Sequence, residues 1–274
     1  MNRTVRYSMA AIMVVFAALS VYPLIWMAIN SFKDSTEIVT GNSFGFPQKI
    51  VFVNYEKALF ERNITRYFFN SVLVTSLTIL LTVVLSTMLA YGLSRMVWRF
   101  REAVLSMVVL GILLPAQIVV VPVFMLVKQL HLVNSPFALV FSISAFNITM
   151  STLIAIGFMK SIPYEMEEAG VIDGAGLIRI FFQIFIPILK PAIAAMSVNI
   201  FLNSWNEFIY ALTLLNGEEI RTLPVGLMSY VGRYGTDFAG LFAAMVITSI
   251  LPIAVYIIFS EQVENALTAG AILK

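Results

Sequence analysis

The sequence predicts an all-α integral membrane protein with six transmembrane helices, and three observations carry that expectation. Sixty per cent of the 274 residues are hydrophobic and only 12% are charged, far from the composition of a water-soluble domain. Mean hydropathy is +0.92, so there is too little polar surface to cover the apolar bulk in water, and a bilayer must be the solvent. The apolar residues fall into long uncharged runs separated by short polar segments.

The first run, Tyr7 to Phe32, is free of charge over 26 residues and follows Arg3 and Arg6. A secretory signal has an apolar core of only about 7–15 residues, so the run reads as a retained helix, with a kink expected at Pro23. Residues 33–66 are mixed in charge and carry Gly41, Gly45, Pro47 and the aromatics Phe44, Phe46, Phe52 and Tyr55, which suits an ordered external loop. Tyr67–Ser94 is the second span, followed by Arg95, Arg99 and Arg101, a strong positive-inside signal. Ala103–Val127 is the third, with Pro115 and Pro122 two helical turns apart and their kinks on one face. Leu132–Met159, Pro191–Leu215 and Phe238–Ser260 complete the six, and residues 261–274 form a polar tail. This divides the chain into an N-terminal helix and loop (1–66), a core (67–260) and the tail (261–274).

Orientation follows from Lys and Arg. With the N-terminus inside, cytoplasmic segments hold nine and outer segments eight, but five of those eight lie in the long first loop. The rule weights short loops; without that loop the balance is nine to three. Both termini, and the segment between spans four and five, are therefore expected in the cytoplasm.

That segment, residues 160–190, is the most polar interruption of the core. Glu165, Glu167, Glu168 and Asp173 fall within nine residues, followed by Arg179 and by Pro187. Charges in hydrocarbon cost several kcal/mol each, so the segment lies outside the membrane. Ser161 suits a helix cap, Pro163 its first turn, and the three glutamates the positive end of its dipole. Asp173-Gly174 marks a turn into a second helix, Leu177–Ile186. The small residues Ala169, Gly170, Gly174, Ala175 and Gly176 allow close backbone approach. On residues alone, this is either a docking helix-turn-helix for a basic cleft or an ordinary interfacial loop.

Along the fifth run, Asn199, Asn203, Asn206, Glu207 and Tyr210 recur at helical spacing. With Asn147 of the fourth run they form a candidate substrate path, since polyols need amide and carboxylate partners. Hydrogen-bond adhesion between helices fits the same residues. Ser144 and Ser151 share a face with Asn147 and admit the same two readings. The composition limits other chemistry. One histidine and no cysteine leave no zinc cluster or catalytic triad to assemble, a net charge of +2 gives no warrant for nucleic-acid binding, and no Gly-Lys dipeptide exists from which to build a phosphate loop.

The 160–190 segment resembles the signature loop of ABC-importer permease subunits: Glu-Ala-Ala, three residues, Gly, nine residues, Ile, one residue, Leu-Pro. Here it reads Glu168-Ala169-Gly170, three residues, Gly174, nine residues, Ile184, Phe185, Ile186-Pro187, with Gly170 and Ile186 the two departures. The run EEAGVIDGA is similar to the carbohydrate branch, which includes the maltose-type permeases and specifically their second permease chain. Ser31–Lys33, Asn54-Tyr55, Asn70-Ser71, Trp205–Phe208 and Leu267–Ala271 extend the resemblance over the whole chain.

The resemblance implies a type I ABC-importer permease fold whose loop, residues 163–187, is a cytoplasmic coupling helix seated on an ATP-hydrolysing subunit. Glu165, Glu167, Glu168, Ala169, Gly170, Asp173 and Gly174 would make that contact, and Leu267, Thr268, Ala269 and Gly270 a second one. It further implies a subunit that is not itself an enzyme, in the inner membrane of a prokaryote. Its partners would be lipid, a second homologous permease, two ATPase subunits and an extracytoplasmic solute-binding protein. ATP and Mg would sit on the ATPase partners and no cofactor on this chain. The cargo would be a sugar or oligosaccharide, with a glycerophosphate, or transport by a stand-alone secondary transporter, as the alternatives.

Overall fold

The computed structural model describes residues 3–232 and 235–272, with side chains for 5–232 and 235–260. It is helical almost throughout: α1 (Arg3–Asn30), α2 (Ser35–Val39), α3 (Val53–Glu56), α4 (Ile64–Ser94), α5 (Arg101–Ile112), α6 (Val120–Gln129), α7 (Pro136–Lys160), α8 (Tyr164–Ile172), α9 (Leu177–Ile180), α10 (Ile186–Ile188), α11 (Lys190–Trp205), α12 (Ile209–Leu214), α13 (Leu223–Gly226) and α14 (Phe238–Ile272). A two-residue antiparallel ribbon pairs β1 (Val231–Gly232) with β2 (Gly235–Thr236).

Among the described residues the expected six long spans are not found. Four helices among the described residues are long and apolar enough to cross a bilayer: Val5–Asn30, Ile64–Ser94, Pro136–Lys160 and Phe238–Ser260. A fifth arises only if Leu177–Ile188 and Lys190–Trp205, bent by 74° at Leu189, count as one broken span.

The third run is where the expectation fails. At 1.5 Å per residue, α5 and α6 are about 18 and 15 Å long against a core of about 30 Å. Pro115 has no N–H to donate and crowds the carbonyl four residues back, and the residue before it is driven out of helical geometry. The helix accordingly stops at Ile112. Pro122 does not kink anything; it occupies the first turn of α6, where its missing N–H costs nothing. The fifth run also breaks, at Asn206–Phe208, before α12. The sixth continues through the expected tail to Ile272.

The chain forms two compact units. One takes residues up to Arg66 and Gly226–Ile250; the other takes Tyr67–Val225 and residues from Leu251 onward. In the first unit, α1 runs unbroken through Pro23 and is exposed as far as Ile25. Its C-terminal end is tied down by polar contacts. Lys33 is fully buried, and its Nζ donates to Asn30 Oδ1 at 3.0 Å and Asn42 O at 2.5 Å. Burial pushes the Lys33 amine below the usual lysine range, and the nearby Glu37 carboxylate opposes that shift. Asn54 Nδ2 donates to Ser31 O and Lys33 O at 2.9 and 2.8 Å, and Ser31 Oγ meets Tyr55 OH at 2.6 Å. Trp26 Nε1 donates to Ser43 O at 2.8 Å, while its ring meets Phe242 edge-on.

The second unit has two apolar cores. One joins Ala90, Tyr91 and Leu93 of α4 to Ala155 and Met159 of α7 and to Phe181, Phe185, Leu189 and Met196. The other joins Val74 to Val127, Leu139, Ile143, Tyr210 and Leu214. In the first unit, Asn54→Leu removes both donors from two buried carbonyls, each a loss of about 1–3 kcal/mol. The expected result is a detergent-solubilised chain that unfolds several degrees lower, read by thermal unfolding, with Asn54→Asp, which sets an acceptor against the same two carbonyl oxygens, at least as damaging as Asn54→Leu.

Candidate functional site

The acidic segment folds as a helix, a tight turn and a second helix. Ser161 belongs to the end of α7 rather than to the start of α8, because its own N–H and that of Ile162 still bond backward to Phe158 O and Met159 O. Pro163 takes the N-cap position of α8. Glu165 and Glu167 lie in its first turn, where the unpaired backbone N–H groups favour negative charge. The helix ends in a two-bond closure: Ala175 N donates to Gly170 O and Gly174 N to Val171 O, both at 2.9 Å. Gly174 sits at φ +76, where a side chain would cost about 1–2 kcal/mol. The chain then continues helically through α9, a widened turn Phe181–Phe185 and α10.

Gly170 is the contact point between the two arms. A Cβ there would lie 2.9 Å from Ile184 Cδ1 and 3.2 Å from Ile180 Cγ1. Around this pivot the turn presents a mixed surface. Glu165, Glu168, Ala169 and Asp173 are exposed, Glu167 is half-buried, and Ile172 and Ile178 are 84% and 76% exposed. Apolar side chains so exposed among carboxylates, on a segment too polar for lipid, form a surface suited to a protein partner.

The polar residues of the fifth run separate into two groups. Asn203 Nδ2 donates to Asn147 Oδ1 at 2.9 Å and to Asn199 Oδ1 at 3.2 Å, so these three form one amide cluster. Asn147 is buried, and its own Nδ2 returns to Ile143 O; Asn199 and Asn203 are exposed. Beyond the break the roles differ. Asn206 Nδ2 bonds back to Leu202 O, and Glu207 Oε1 accepts from Tyr210 N at 2.8 Å, capping α12. Tyr210 is buried and donates its hydroxyl to Ala116 O at 2.6 Å. The helical spacing that suggested one continuous face does not survive the break after Trp205.

Ser144 and Ser151 are buried like Asn147. The side chains of Leu267, Thr268, Ala269 and Gly270 lie outside the described residues. Sequence reasoning took Arg95 only as a topological signal and passed over Tyr91, yet both hold the acidic segment against α4.

The family model described as "Binding-protein-dependent transport system inner membrane component" matches residues 82–268. Among curated proteins, the sulfoquinovosyl glycerol transport system permease protein SmoH of Agrobacterium fabrum is 31% identical, over 99% of this chain and 94% of its own. The diacetylchitobiose uptake system permease protein NgcG of Streptomyces coelicolor is 30% identical, over 95% of this chain and 86% of its own. Among solved structures, a chain of a bacterial ABC transporter involved in the import of the acidic polysaccharide alginate superposes with TM-score 0.83 at 23% identity, covering 95% of this chain and 98% of that one.

The pivot makes a graded prediction. Gly170→Ala requires the mobile end of Ile184 to shift and Ile180 to yield slightly, so the segment should resist limited proteolysis nearly as the natural chain does. Gly170→Leu has no such room and should expose cleavage sites between residues 161 and 190.

Proposed function

The chain belongs to the family of inner-membrane components of binding-protein-dependent transport systems, and on that premise we propose that it is the permease subunit of an ATP-driven importer for a sugar or oligosaccharide. The exposed α8–turn–α9 surface carries the proposal. It offers carboxylates and uncovered apolar side chains on a rigid pivot, the form expected of a piece seated in a basic cleft of another subunit. Glu165, Glu167, Glu168, Ala169, Gly170, Asp173 and Gly174 make the seat, with Leu267, Thr268, Ala269 and Gly270 as a second contact.

The ATPase partners supply the ATP and Mg sites. A second homologous permease completes the membrane pathway in a pseudo-twofold pair, and an extracytoplasmic binding protein delivers the solute. Within that pair this chain takes the place of the second, maltose-type permease. The glycoside character of the cargo is supported by the names of the similar proteins, one a sulfoquinovosyl glycerol permease and another a diacetylchitobiose permease.

The docking segment lies in the cytoplasm. Arg95, Arg99, Arg101 and Lys160 all flank the ends of α4, α5 and α7 from which that segment emerges, and such basic flanks are retained inside. On the pathway side, the Asn147–Asn203–Asn199 cluster presents exposed amides at the level of α11. Asn206, Glu207 and Tyr210 continue that path in the proposal.

The deciding experiment is to purify the chain with its co-expressed partners and to screen saccharides, with their binding protein, for stimulation of ATP hydrolysis. Stimulation by none of them, with glycerophosphates active instead, would remove the sugar assignment. Glu168→Lys reverses a charge on the docking surface and should lower stimulated hydrolysis by about tenfold, within the usual range of coupling energies. Stimulation at the natural level would contradict the docking role. Asn203→Leu should lower uptake on the order of fivefold, the worth of a hydrogen bond near 1 kcal/mol, with subunit yield unchanged. Equal uptake would remove the amide cluster from the pathway.

A further inference from the structure

Arg95 follows the last residue of α4 and makes four contacts, three within residues 159–164 and one with Phe185. Its Nη2 donates to Met159 O, in the last turn of α7, and to Ile162 O, just beyond that helix. Its guanidinium lies over the ring of Tyr164, the first residue of α8, at 4.4 Å, and over Phe185, beyond the docking turn, at 5.1 Å. One turn earlier on α4, Tyr91 packs its ring against Phe181 and Phe185 at 5.2 and 5.0 Å and donates its hydroxyl to Glu167 Oε1 at 3.2 Å. Residues four apart share a helix face. Tyr91 and Arg95 are therefore one edge of α4, and that edge grips both arms of the docking segment as well as the end of α7.

The grip holds more polar capacity than the fold uses. Arg95 Nε and Nη1, and Glu167 Oε2, are buried without hydrogen-bond partners. Arg95 and Glu167 both line one open pocket of about 450 Å³, together with Tyr164, Glu168, Val171 and Ile172. Buried unsatisfied donors weaken a resting structure. An anchor needed only for stability would be better served by an apolar side chain. An arginine kept there has a use for its planar, many-donor head, which can hold two carbonyls and two ring faces at once.

We propose that Arg95, assisted by Tyr91, is the positioning residue that makes α8, the end of α4 and the end of α7 move as one body, so that displacement of the docking helix reaches the membrane helices. The inference rests on the docking role proposed above. Without the clamp, α8 would follow the ATPase subunit while α4 and α7 stayed behind.

The chain has no cysteine, so two introduced thiols give unambiguous spin-label positions in it. Val97, just beyond Arg95, and Met166, on α8, are both exposed. Val97→Cys and Met166→Cys would be labelled in the full complex with its co-purified partners. The label separation would be read by pulsed electron resonance without nucleotide and with Mg-ATP and vanadate. With Arg95 present, the same separation is expected in both states. In Arg95→Met, the separation should match only without nucleotide, and shift or broaden once nucleotide is trapped. Arg95→Lys should restore the shared separation in part.

A separation that is equal in both states in Arg95→Met overturns the proposal. So does one that is broad in both, which would make Arg95 a structural anchor only. Should Arg95→Met fail to fold, Tyr91→Phe, which removes one hydroxyl and keeps the ring packing, carries the same reading with a smaller shift. If the unmutated chain never retains ATPase subunits, the docking role itself fails and this inference falls with it. If they are retained and the variants behave like the natural chain, this inference alone is lost.

Discussion

A carbonyl left without a donor in an apolar chain has no water to turn to, and that demand governs where this protein can interrupt its helices. The breaks in each unit are closed by a side-chain donor reaching back to the backbone. Asn54 and Lys33 serve the carbonyls after α1, and Trp98 and Arg101 serve Gly92 O and Leu93 O at the end of α4. Tyr210 serves Ala116 O between α5 and α6, and Asn70 serves Glu219 O and Arg221 O before α13. Arg95 does the same for α7. These donors carry a planar amide, a guanidinium, a ring or an ammonium at the tip, and the longer ones bury an apolar stem while presenting a polar end.

The same demand shapes the acidic segment of α8 and α9. A helix that leaves the apolar core must end its predecessor cleanly, and α7 does so through Ser161, whose hydroxyl bonds Phe158 O, and through Arg95. Only then can α8 begin one residue after a proline and carry its acids outward. Its far end needs no side-chain donor, because Gly174 lets the backbone close on itself. Rigidity at the near end and a compact turn at the far end leave the exposed carboxylates and isoleucines on a surface whose shape is fixed before any partner arrives, which is what lowers the cost of binding.

Much of this was legible in the residues. The spacing from Glu168 to Pro187 and the glycine at the turn led to the helix-turn-helix form of residues 164–180 and to the family. The breaks were not legible, for a physical reason. Hydropathy sums over a run and is blind to one missing hydrogen bond inside it. Pro115 and Pro122 looked equivalent at two turns' separation, yet one follows the end of a helix and the other sits in the first turn of the next, where its missing N–H is not needed. The periodicity linking Asn199 to Tyr210 assumed an unbroken helix; once the chain turns after Trp205, Asn147, Asn199 and Asn203 stay together while Tyr210 serves the backbone elsewhere. Arg95 was read as a topological signal because its sequence position shows its charge and not its four contacts.

The spanning window of α1 has none of its residues buried within this chain. Its lateral surface is thus judged by whatever surrounds it, lipid or another subunit, and only its last turn is constrained from within. Substitutions along Val5–Ile25 should therefore drift at a pace set by the neighbouring molecule, so that α1 can be re-tailored to a new bilayer thickness or a new companion chain without reopening the polar latch that holds its end.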